Sequence, residues 1–469
     1  MSARTPSRKR LAALDLTLTL LLALAGCSKG SQPAKAKPPT PGHDAGESSD
    51  AGEASDAGGP GKDAAVSGDA AVRADAASPD DDGGAGPDDT DPAKRCEVAT
   101  ELSELSQSVA FGDESGFMLT PGVTGFGVAI QAGGVCDRIL TLPVSALGAY
   151  KQPNELLGDC SGHVENVSLL HVSDGFRLTW VDNSSGSAEL QSVLLPETLS
   201  APAELKRTRI TDNTRRELRP VLASFGTQSY VSWISLEPAS KARELMLQAA
   251  DGSGEARTLT TAADGFTPTS LAIAQLGTES GAVAFVSEQN KVGVWLVPLA
   301  PNGTSRSEPV RLSASVTTGN TVDLATREQD GGAVLYSLDL GQMHEVRFRR
   351  LSDEGAFESE EIKVVSGALQ GRDASLARLG GGYVVAFRSL PSSIDKETQV
   401  RLMFVTKEGN LQRDNAGRVI TYPVAKASDT GGRVTVRVST DGQLLIGFLD
   451  STDAGPQFRL IRKRLDCTL

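Results

Sequence analysis

The chain is 469 residues long and carries a formal net charge of −13 at pH 7. That length exceeds an ordinary single domain unless a repeat architecture absorbs it. The negative charge opposes contact with nucleic acid or an anionic membrane surface, so we expect no nucleic-acid partner. Only 4% of the residues are aromatic and 49 are Gly, while Val, Leu and Thr occur in short runs. This composition is typical of a turn-rich all-β protein.

The first residues have the composition of an export signal. A basic segment with Arg4, Arg8, Lys9 and Arg10 precedes a mostly apolar core over residues 11–25. The core is short for a membrane-spanning helix, and polar residues follow it at once. It ends in Leu24-Ala25-Gly26-Cys27, which resembles the lipobox of bacterial lipoproteins. The resemblance implies a signal peptide over residues 1–26, cleavage before Cys27, diacylglycerol on its thiol and acylation of the new amino terminus.

An acylated Cys27 would hold the protein on a membrane, since two or three acyl chains bind firmly where a single chain binds marginally. Ser28 follows where the sorting rule of the best-known lipoproteins would need Asp for inner-membrane retention, which favours the outer membrane. The alternative is an ordinary signal peptide with a chance Cys at its cleavage site. We therefore expect a lipid-anchored cell-envelope protein, on the periplasmic face or the cell surface.

Residues 27–95 form a linker rich in Ala, Gly, Pro and Asp. Its Asp-Ala-Gly triplets recur at six-residue spacing, beginning at Asp44, Asp50 and Asp56. Such a segment cannot bury enough apolar surface to offset its ordering entropy, so we expect a disordered tether. As a flexible coil it would reach about 45 Å. We prefer the interpretation of this segment as a charged tether to its interpretation as a divalent-cation site. We expect no cofactor, and calcium is the single alternative left open.

One short strand recurs about every fifty residues in the rest of the chain. Its clearest copy is Gly381-Gly382-Tyr383-Val384-Val385-Ala386-Phe387, and the others lie at residues 125–130, 175–180, 229–233, 281–285, 332–336 and 442–448. In the first copy Gln131 stands in place of the closing aromatic residue. Each repeat also has an apolar strand before this anchor strand, a third strand ending in a turn dipeptide such as Asn302-Gly303, and a short fourth strand.

Four antiparallel strands in a repeat of this length are the signature of a β-propeller blade. The anchors predict an all-β, seven-bladed β-propeller over residues 96–469, with six or eight blades left open because the first repeat is the most divergent. The last repeat lacks a fourth strand, and the segment at residues 101–105 would supply it and close the ring. The pattern also loosely resembles repeats of large bacterial surface and secreted proteins over residues 120–466, which implies envelope exposure but no reaction.

The five cysteines fit this picture. If Cys27 is lipidated, four remain, and four can pair completely in an oxidising envelope. Sequence alone allows three pairings. We favour Cys96 with Cys467, because ring closure would bring them together, and Cys136 with Cys160 as a local bridge.

Motifs of known propeller enzymes are missing from the sequence. It has no Ser-x-Asp-x-Gly-x-Thr-Trp box, no Gly-His…Trp-Asp pair, and no HExxH, Walker or GxSxG motif. For the four histidines, His43, His163, His171 and His344, ordinary exposed or half-buried positions are favoured over a zinc or acid–base role. The basic cluster at residues 206–216 is expected to be a solvated loop rather than an anion site.

Five carboxylates follow the anchor strands at nearly the same offset: Asp182, Glu237, Glu288, Asp339 and Asp450. In a propeller they would ring one mouth of the central channel. Arg219 and Arg372 occupy matching positions on that face, and Arg433 is displaced from the matching position by one residue. Such a ring focuses an electric field and could recruit a cation, a basic segment or a sugar. The alternative is that the carboxylates cap turns and pair with arginines.

These observations favour a non-catalytic binding or scaffold module for another envelope protein or a polysaccharide. The alternative is a propeller glycan hydrolase or lyase with its carboxylates at the channel mouth, which for hydrolysis needs two carboxylates about 5–10 Å apart. A third possibility is a structural spacer without a ligand.

Overall fold

The computed structural model describes residues 96–108, 116–123, 125–132, 138–145, 152–157, 164–202, 204–313, 319–326, 331–341, 343–367, 369–391, 397–428, 432–439, 442–452 and 455–467. These ranges contain 28 β-strands. No helix in them is long and apolar enough to cross a membrane. The predicted signal peptide, Cys27 and the linker lie outside the described residues.

The strands form seven four-stranded antiparallel sheets. The innermost strands are β2 (Phe117–Gly122), β6 (Val164–Val172), β10 (Arg216–Phe225), β14 (Pro268–Gln275), β18 (Gly319–Thr326), β22 (Gly371–Leu379) and β26 (Val434–Val438). The second strands are β3 (Gly125–Ala132), β7 (Gly175–Asp182), β11 (Gln228–Leu236), β15 (Gly281–Ser287), β19 (Gly332–Asp339), β23 (Gly382–Ser389) and β27 (Gln443–Thr452). The third strands are β4 (Arg138–Ser145), β8 (Glu189–Leu195), β12 (Arg243–Ala249), β16 (Gly293–Leu299), β20 (His344–Leu351), β24 (Gln399–Val405) and β28 (Gly455–Cys467). The outer strands are β5 (Asn154–Leu157), β9 (Thr208–Arg209), β13 (Arg257–Thr260), β17 (Val310–Arg311), β21 (Ile362–Val365), β25 (Tyr422–Lys426) and β1 (Cys96–Ser108).

Each sheet is one blade, and the innermost strands of neighbouring blades contact one another around a closed ring, the last (β26) meeting the first (β2). The prediction of an all-β, seven-bladed propeller is therefore confirmed, and every anchor strand is the second strand of its blade. Because neighbouring strands are antiparallel, innermost strands begin and second strands end on the same face of the ring. We call this the mouth face and the opposite one the turn face.

The ring closes by strand exchange between the two ends of the domain. The outer strand of the last blade is β1, which pairs with β28 along the sheet order β1-β28-β27-β26. The predicted closing segment, residues 101–105, lies within β1 and is confirmed in that role. The register sets Cys96 opposite Cys467, and directly opposed residues of an antiparallel pair have Cα atoms about 4.5–5.5 Å apart, within the range of a disulfide. Cys136 and Cys160 lie outside the described residues.

The hydrophobic core lies between the blades rather than inside one central mass. Seven clusters of buried apolar residues each join two neighbouring blades. The second strands β3, β15 and β23 are buried along their whole length, so both of their faces pack against other blades. The aromatic residues that close the anchors are all fully buried: Trp180, Trp233, Phe285, Tyr336, Phe387 and Phe448.

The first blade differs at this position, where Gln131 replaces the aromatic residue. Gln131 is buried, and its Oε1 accepts hydrogen bonds from the backbone N–H of Gly116 at 3.3 Å and of Asn166 at 3.0 Å. Since Asn166 belongs to the second blade, this side chain joins two blades by hydrogen bonding where the other blades use apolar contact.

The turns between third and fourth strands contain the predicted dipeptides. Their glycines all have positive φ: Gly252, Gly303, Gly355 and Gly409. At Gly303, with φ of 79°, an added Cβ would also lie 2.8 Å from the ring of Tyr230 in the preceding blade. The turn of one blade therefore docks on the blade before it, and both the backbone conformation and the close approach require Gly there.

Gly303→Ala should destabilise the propeller more than Gly417→Ala does. Gly417 has φ of 77° and nothing within 4 Å of its absent Cβ, so its replacement adds only the left-handed strain of about 1–2 kcal/mol. At Gly303 the steric overlap adds about 1–3 kcal/mol. Chemical denaturation of both variants measures the difference, and equal losses of unfolding free energy would show that the turn does not dock as described.

Candidate functional site

The five predicted carboxylates all lie at the ends of second strands, on the mouth face. Asp182, Asp339 and Asp450 belong to the strands themselves, and Glu237 and Glu288 directly follow them. They therefore stand one strand outward from the innermost strands, a spacing of about 4.8 Å in a sheet. The structure brings the set to one face, but the innermost strands rather than these residues line the channel.

Most of these carboxylates are engaged locally. Asp182 accepts a hydrogen bond from the Ser184 N–H at 2.9 Å, and Asp339 accepts one from the Gly341 N–H at 2.9 Å. Such contacts cap turns, as the alternative interpretation of the sequence predicts. Glu288 is exposed.

Asp450 has a structural position. It is buried, accepts a hydrogen bond from the Ser428 N–H at 2.7 Å, and lies 3.1 Å from the Arg459 guanidinium. A buried carboxylate that is both hydrogen-bonded and ion-paired is held in place by its surroundings. Asp450 is therefore the least available of the five to an external ligand.

The innermost strands carry a feature that the sequence analysis missed. Three residues near their starts have left-handed backbones: Asn166 (φ 52°), Arg219 (φ 51°) and Asp373 (φ 52°). The pairing with the second strand shifts register at each of these points, so each is part of a β-bulge. Bulges re-aim side chains, and a left-handed backbone in a residue with a Cβ is uncommon. The predicted residue Arg219 is one of the three, and Arg372 is the neighbour of another.

Charged groups from two blades surround Asp373. Its carboxylate lies 3.4 Å from Arg372 and 3.5 Å from Arg388. Burial raises the pKa of Asp373, and the charges of Arg388, Arg372 and His344 oppose that shift. His344 Nδ1 in turn lies 3.9 Å from Asp339. The geometry therefore sets a partly buried carboxyl with a raised pKa against two guanidinium groups, with the charge of an imidazole from the neighbouring blade also acting on it.

Arg388 fastens the sixth blade to the seventh. Its side chain is fully buried and donates hydrogen bonds to three backbone carbonyls, those of Ser428 at 2.5 Å, Gly432 at 2.8 Å and Leu449 at 2.8 Å. A guanidinium presents several donors in a rigid plane, which suits it to bind carbonyls from separate segments. The position of Asp373 at the mouth face thus depends on contacts between blades.

Two further carboxylates are buried beneath the mouth face, between the second and third blades. Glu189 and Glu217 are each 1% exposed. Glu217 accepts hydrogen bonds from Trp233 Nε1 at 2.7 Å and Asn213 Nδ2 at 2.8 Å, and Glu189 accepts one from Thr211 Oγ1 at 2.5 Å. Burial raises the pKa of Glu217, its hydrogen bonds oppose the shift, and the charge of Glu189 adds to it.

The basic cluster at residues 206–216 covers this pair. Three of its four arginines form ion pairs with carboxylates: Arg209 with Glu189 and Asp212, Arg215 with Glu244, and Arg216 with Glu165. This pairing favours the solvated loop over an anion site, because the guanidinium groups already have anionic partners.

The turn face has a cavity of about 230 Å³ between the third and fourth blades. Tyr230, Gln248, Arg257 and Asn302 contribute to its lining, and Arg257 donates a hydrogen bond to the Asn302 carbonyl across it. The volume is below the range of about 300–1,000 Å³ usual for ligand pockets.

Two histidines can be placed. His344 lies at the mouth face as described above, and His171 Nε2 lies 2.6 Å from Glu197 Oε1. His43 and His163 lie outside the described residues. Within the described ranges, no group of three or more His, Cys, Asp or Glu side chains is arranged to hold a metal ion.

These observations define a seven-bladed β-propeller protein with a charged mouth face. No model of a protein family matches the chain, and no curated protein matches it. Among solved structures, phage phi92 endosialidase aligns with a TM-score of 0.45 and 9% identity over 77% of this chain and 69% of its own. The polysaccharide lyase Uly1 aligns with a TM-score of 0.43 and 10% identity over 73% of this chain and 88% of its own. Trypanosoma rangeli sialidase aligns with a TM-score of 0.38 and 13% identity over 68% of this chain and 56% of its own. At this level of likeness, the comparisons carry no argument about ligand or activity.

The buried carboxylate Glu217 generates a prediction about pH. Since its folded-state pKa is raised, wild-type stability falls as the pH rises from the ordinary carboxyl value to the raised one, by about 1.4 kcal/mol for each pKa unit. Glu217→Gln keeps an acceptor oxygen but removes the charge. We expect its unfolding free energy to run parallel to that of wild type below the ordinary carboxyl pKa and to rise relative to wild type as the pH increases through the window up to the raised pKa.

Urea denaturation at a series of pH values measures this difference. Glu255→Gln, at an exposed position on the turn face, is the control and should follow the wild-type curve. If Glu217→Gln also runs parallel to wild type throughout, the ionisation of Glu217 does not oppose folding.

Proposed function

We propose that this protein is a non-catalytic binding or scaffold module, and that its mouth face contacts another envelope protein or a polysaccharide. The observation that supports this most is the set of bulges at Asn166, Arg219 and Asp373, which lie near the mouth-face starts of the innermost strands of three blades. The ring holds these groups in place before a ligand arrives, and preorganisation lowers the entropic cost of binding.

The proposed address follows from the amino terminus. Lipidation of Cys27 would anchor the protein in a membrane of the cell envelope, the outer membrane being favoured by Ser28. A tether over residues 27–95 would let the propeller work at a distance from the bilayer. We propose no nucleic-acid partner and no cofactor, with calcium left open for the Asp-rich tether.

We also propose a disulfide between Cys96 and Cys467. The strand register that opposes them supports this pairing, and in the chain-entropy model a bond closing so long a loop contributes about 5 kcal/mol. Peptide mapping without reduction should recover the two segments as one linked peptide, and reduction should lower the melting temperature. Recovery of Cys96 linked to Cys136 or Cys160 would contradict the assignment.

A glycan hydrolase or lyase is the second candidate. The observation that favours it is the raised pKa of Asp373 beside His344 and Arg372 at the mouth face. A carboxyl with a raised pKa holds its proton to a higher pH than an ordinary carboxyl does, as a general acid requires. In that case Asp373→Asn would abolish glycan turnover, whereas a binding module shows no turnover to abolish.

Affinity capture from solubilised cell envelope tests the binding function, with the full-length protein as bait. One variant bait carries Asp182→Asn, Glu237→Gln and Glu288→Gln on the mouth face, changes that keep the turn-capping oxygens but remove the charges. The matched control carries Glu255→Gln, Glu308→Gln and Glu354→Gln, which remove the same charge elsewhere. We expect the wild type and the control to retain the same amount of a partner and the mouth-face variant to retain a different amount, less of a basic partner or more of an acidic one.

Equal retention by all three baits would place the contact away from the mouth-face carboxylates. If the wild type retains nothing, neither protein nor polysaccharide, the binding proposal fails, and assays for glycan turnover with wild type and Asp373→Asn then decide on the enzymatic candidate.

A further inference from the structure

Arg219 is presented to the channel mouth by a bulge. The pairing of β10 with β11 skips from Leu218 to Val221, so Arg219 and Pro220 stand outside the ladder. Arg219 adopts φ of 51° and its side chain is exposed. A left-handed backbone is unfavourable for a residue with a Cβ, and such strain persists where surrounding structure imposes it, often at functional sites.

Arg433 stands directly before β26, at the matching end of the last blade. Its side chain reaches solvent, yet desolvation by the surrounding protein lowers its pKa. Both statements hold for a side chain that projects into a water-filled channel, where water touches it but protein encircles it. The nearby charges of Arg437 and Arg219 lower the pKa of Arg433 further, and the charge of Asp323 opposes them.

These charges come from blades that are not neighbours. Arg219 belongs to the third blade, Asp323 to the fifth and Arg433 to the seventh. Side chains from such separate blades can influence one another only across the channel. Because Arg219 lies near the mouth-face start of β10 and Arg433 directly precedes β26, both guanidinium groups stand at the mouth of the channel, although the whole chain carries a net charge of −13.

The one carboxylate in this group, that of Asp323, is already bound by other groups of the protein. Asp323 is buried, and its Oδ2 accepts hydrogen bonds from Ser375 Oγ at 2.7 Å and the Leu376 N–H at 3.0 Å, with Arg437 at 3.8 Å. It thereby joins the fifth blade to the sixth and seventh. Among the residues that the structure describes, Arg219 and Arg433 have no ion-pair partner.

We propose that the channel mouth binds a carboxylate of an acidic polysaccharide between Arg219 and Arg433. This rests on the proposed binding function and names its ligand class. Guanidinium groups bind carboxylates through paired, charge-assisted hydrogen bonds. Arg219 lies in the first half of β10 and Arg433 directly precedes β26, so both stand inside the ring of loops that follow the second strands. A narrow sugar chain therefore reaches them more readily than the surface of a folded protein does. Partly exposed polar residues of other innermost strands, Asn166 and Thr269, can bind hydroxyl groups.

The test is calorimetric titration of the full-length protein in detergent with three probes: oligogalacturonate, a neutral glucose oligomer and an oligoglutamate peptide. We expect oligogalacturonate to bind with an affinity that falls as salt rises, and the neutral oligomer not to bind. Arg219→Asn and Arg433→Gln should each weaken binding about tenfold. Asn is chosen at 219 because it tolerates the left-handed backbone.

The control variant combines Arg378→Gln and Arg413→Gln, which remove the same charge on the turn face, where these side chains bond to the carbonyls of Gly380 and Gly417. It should bind as wild type does. A second readout separates binding from folding: removing two converging like charges should leave the melting temperature of the Arg219→Asn, Arg433→Gln double variant unchanged or raised.

Wild-type affinity in the double variant would overturn the proposal, as would equal binding of the neutral oligomer. Binding of oligoglutamate alone would assign the mouth to an acidic protein segment instead. If no probe binds while envelope capture still retains a partner, the carboxylate site is wrong and the binding function stands. If envelope capture also retains no partner, both the carboxylate site and the binding function are wrong.

Discussion

The structure depends on the burial of each second strand between two neighbouring blades. Strands such as β15 and β23 are buried along their whole length, so no blade can cover its own apolar surface. A blade at an open end would expose one face of its anchor strand, and the ring must therefore close. The pairing of β1 with β28 achieves this closure by supplying the outer strand of the last blade from the start of the domain. The two ends of the propeller thus stabilise each other.

The same packing fixes the mouth face. Because the blades are held against one another by apolar clusters and by contacts such as those of Arg388 with three carbonyls, the innermost strands cannot shift independently. Backbone strain at Asn166, Arg219 and Asp373 can then persist. The three bulges therefore stand at fixed positions on the mouth face, on packed strands rather than on loops.

Electrostatics divides this surface into two layers. The carboxylates at the ends of the second strands mostly cap turns or form ion pairs, whereas the arginines beside the innermost strands converge on the channel. A chain of net negative charge thereby keeps a local positive site at its centre. Low-dielectric walls strengthen such a local field, so an anionic group would be attracted to the mouth and repelled by most of the remaining surface.

The sequence by itself predicted the strands, their order and a seven-bladed ring, with six or eight blades left open, because anchor strands and Gly-containing turns are local patterns. It also placed Asp182, Glu237, Glu288, Asp339 and Asp450 on one face, since strand direction alone decides that. Only the tertiary structure decided what these side chains contact, that Gln131 bonds to the next blade, and that Arg219 sits in a bulge opposite Arg433. Those features depend on which residues of other strands, turns and blades pack against these positions in the fold, and a local sequence pattern does not specify those neighbours.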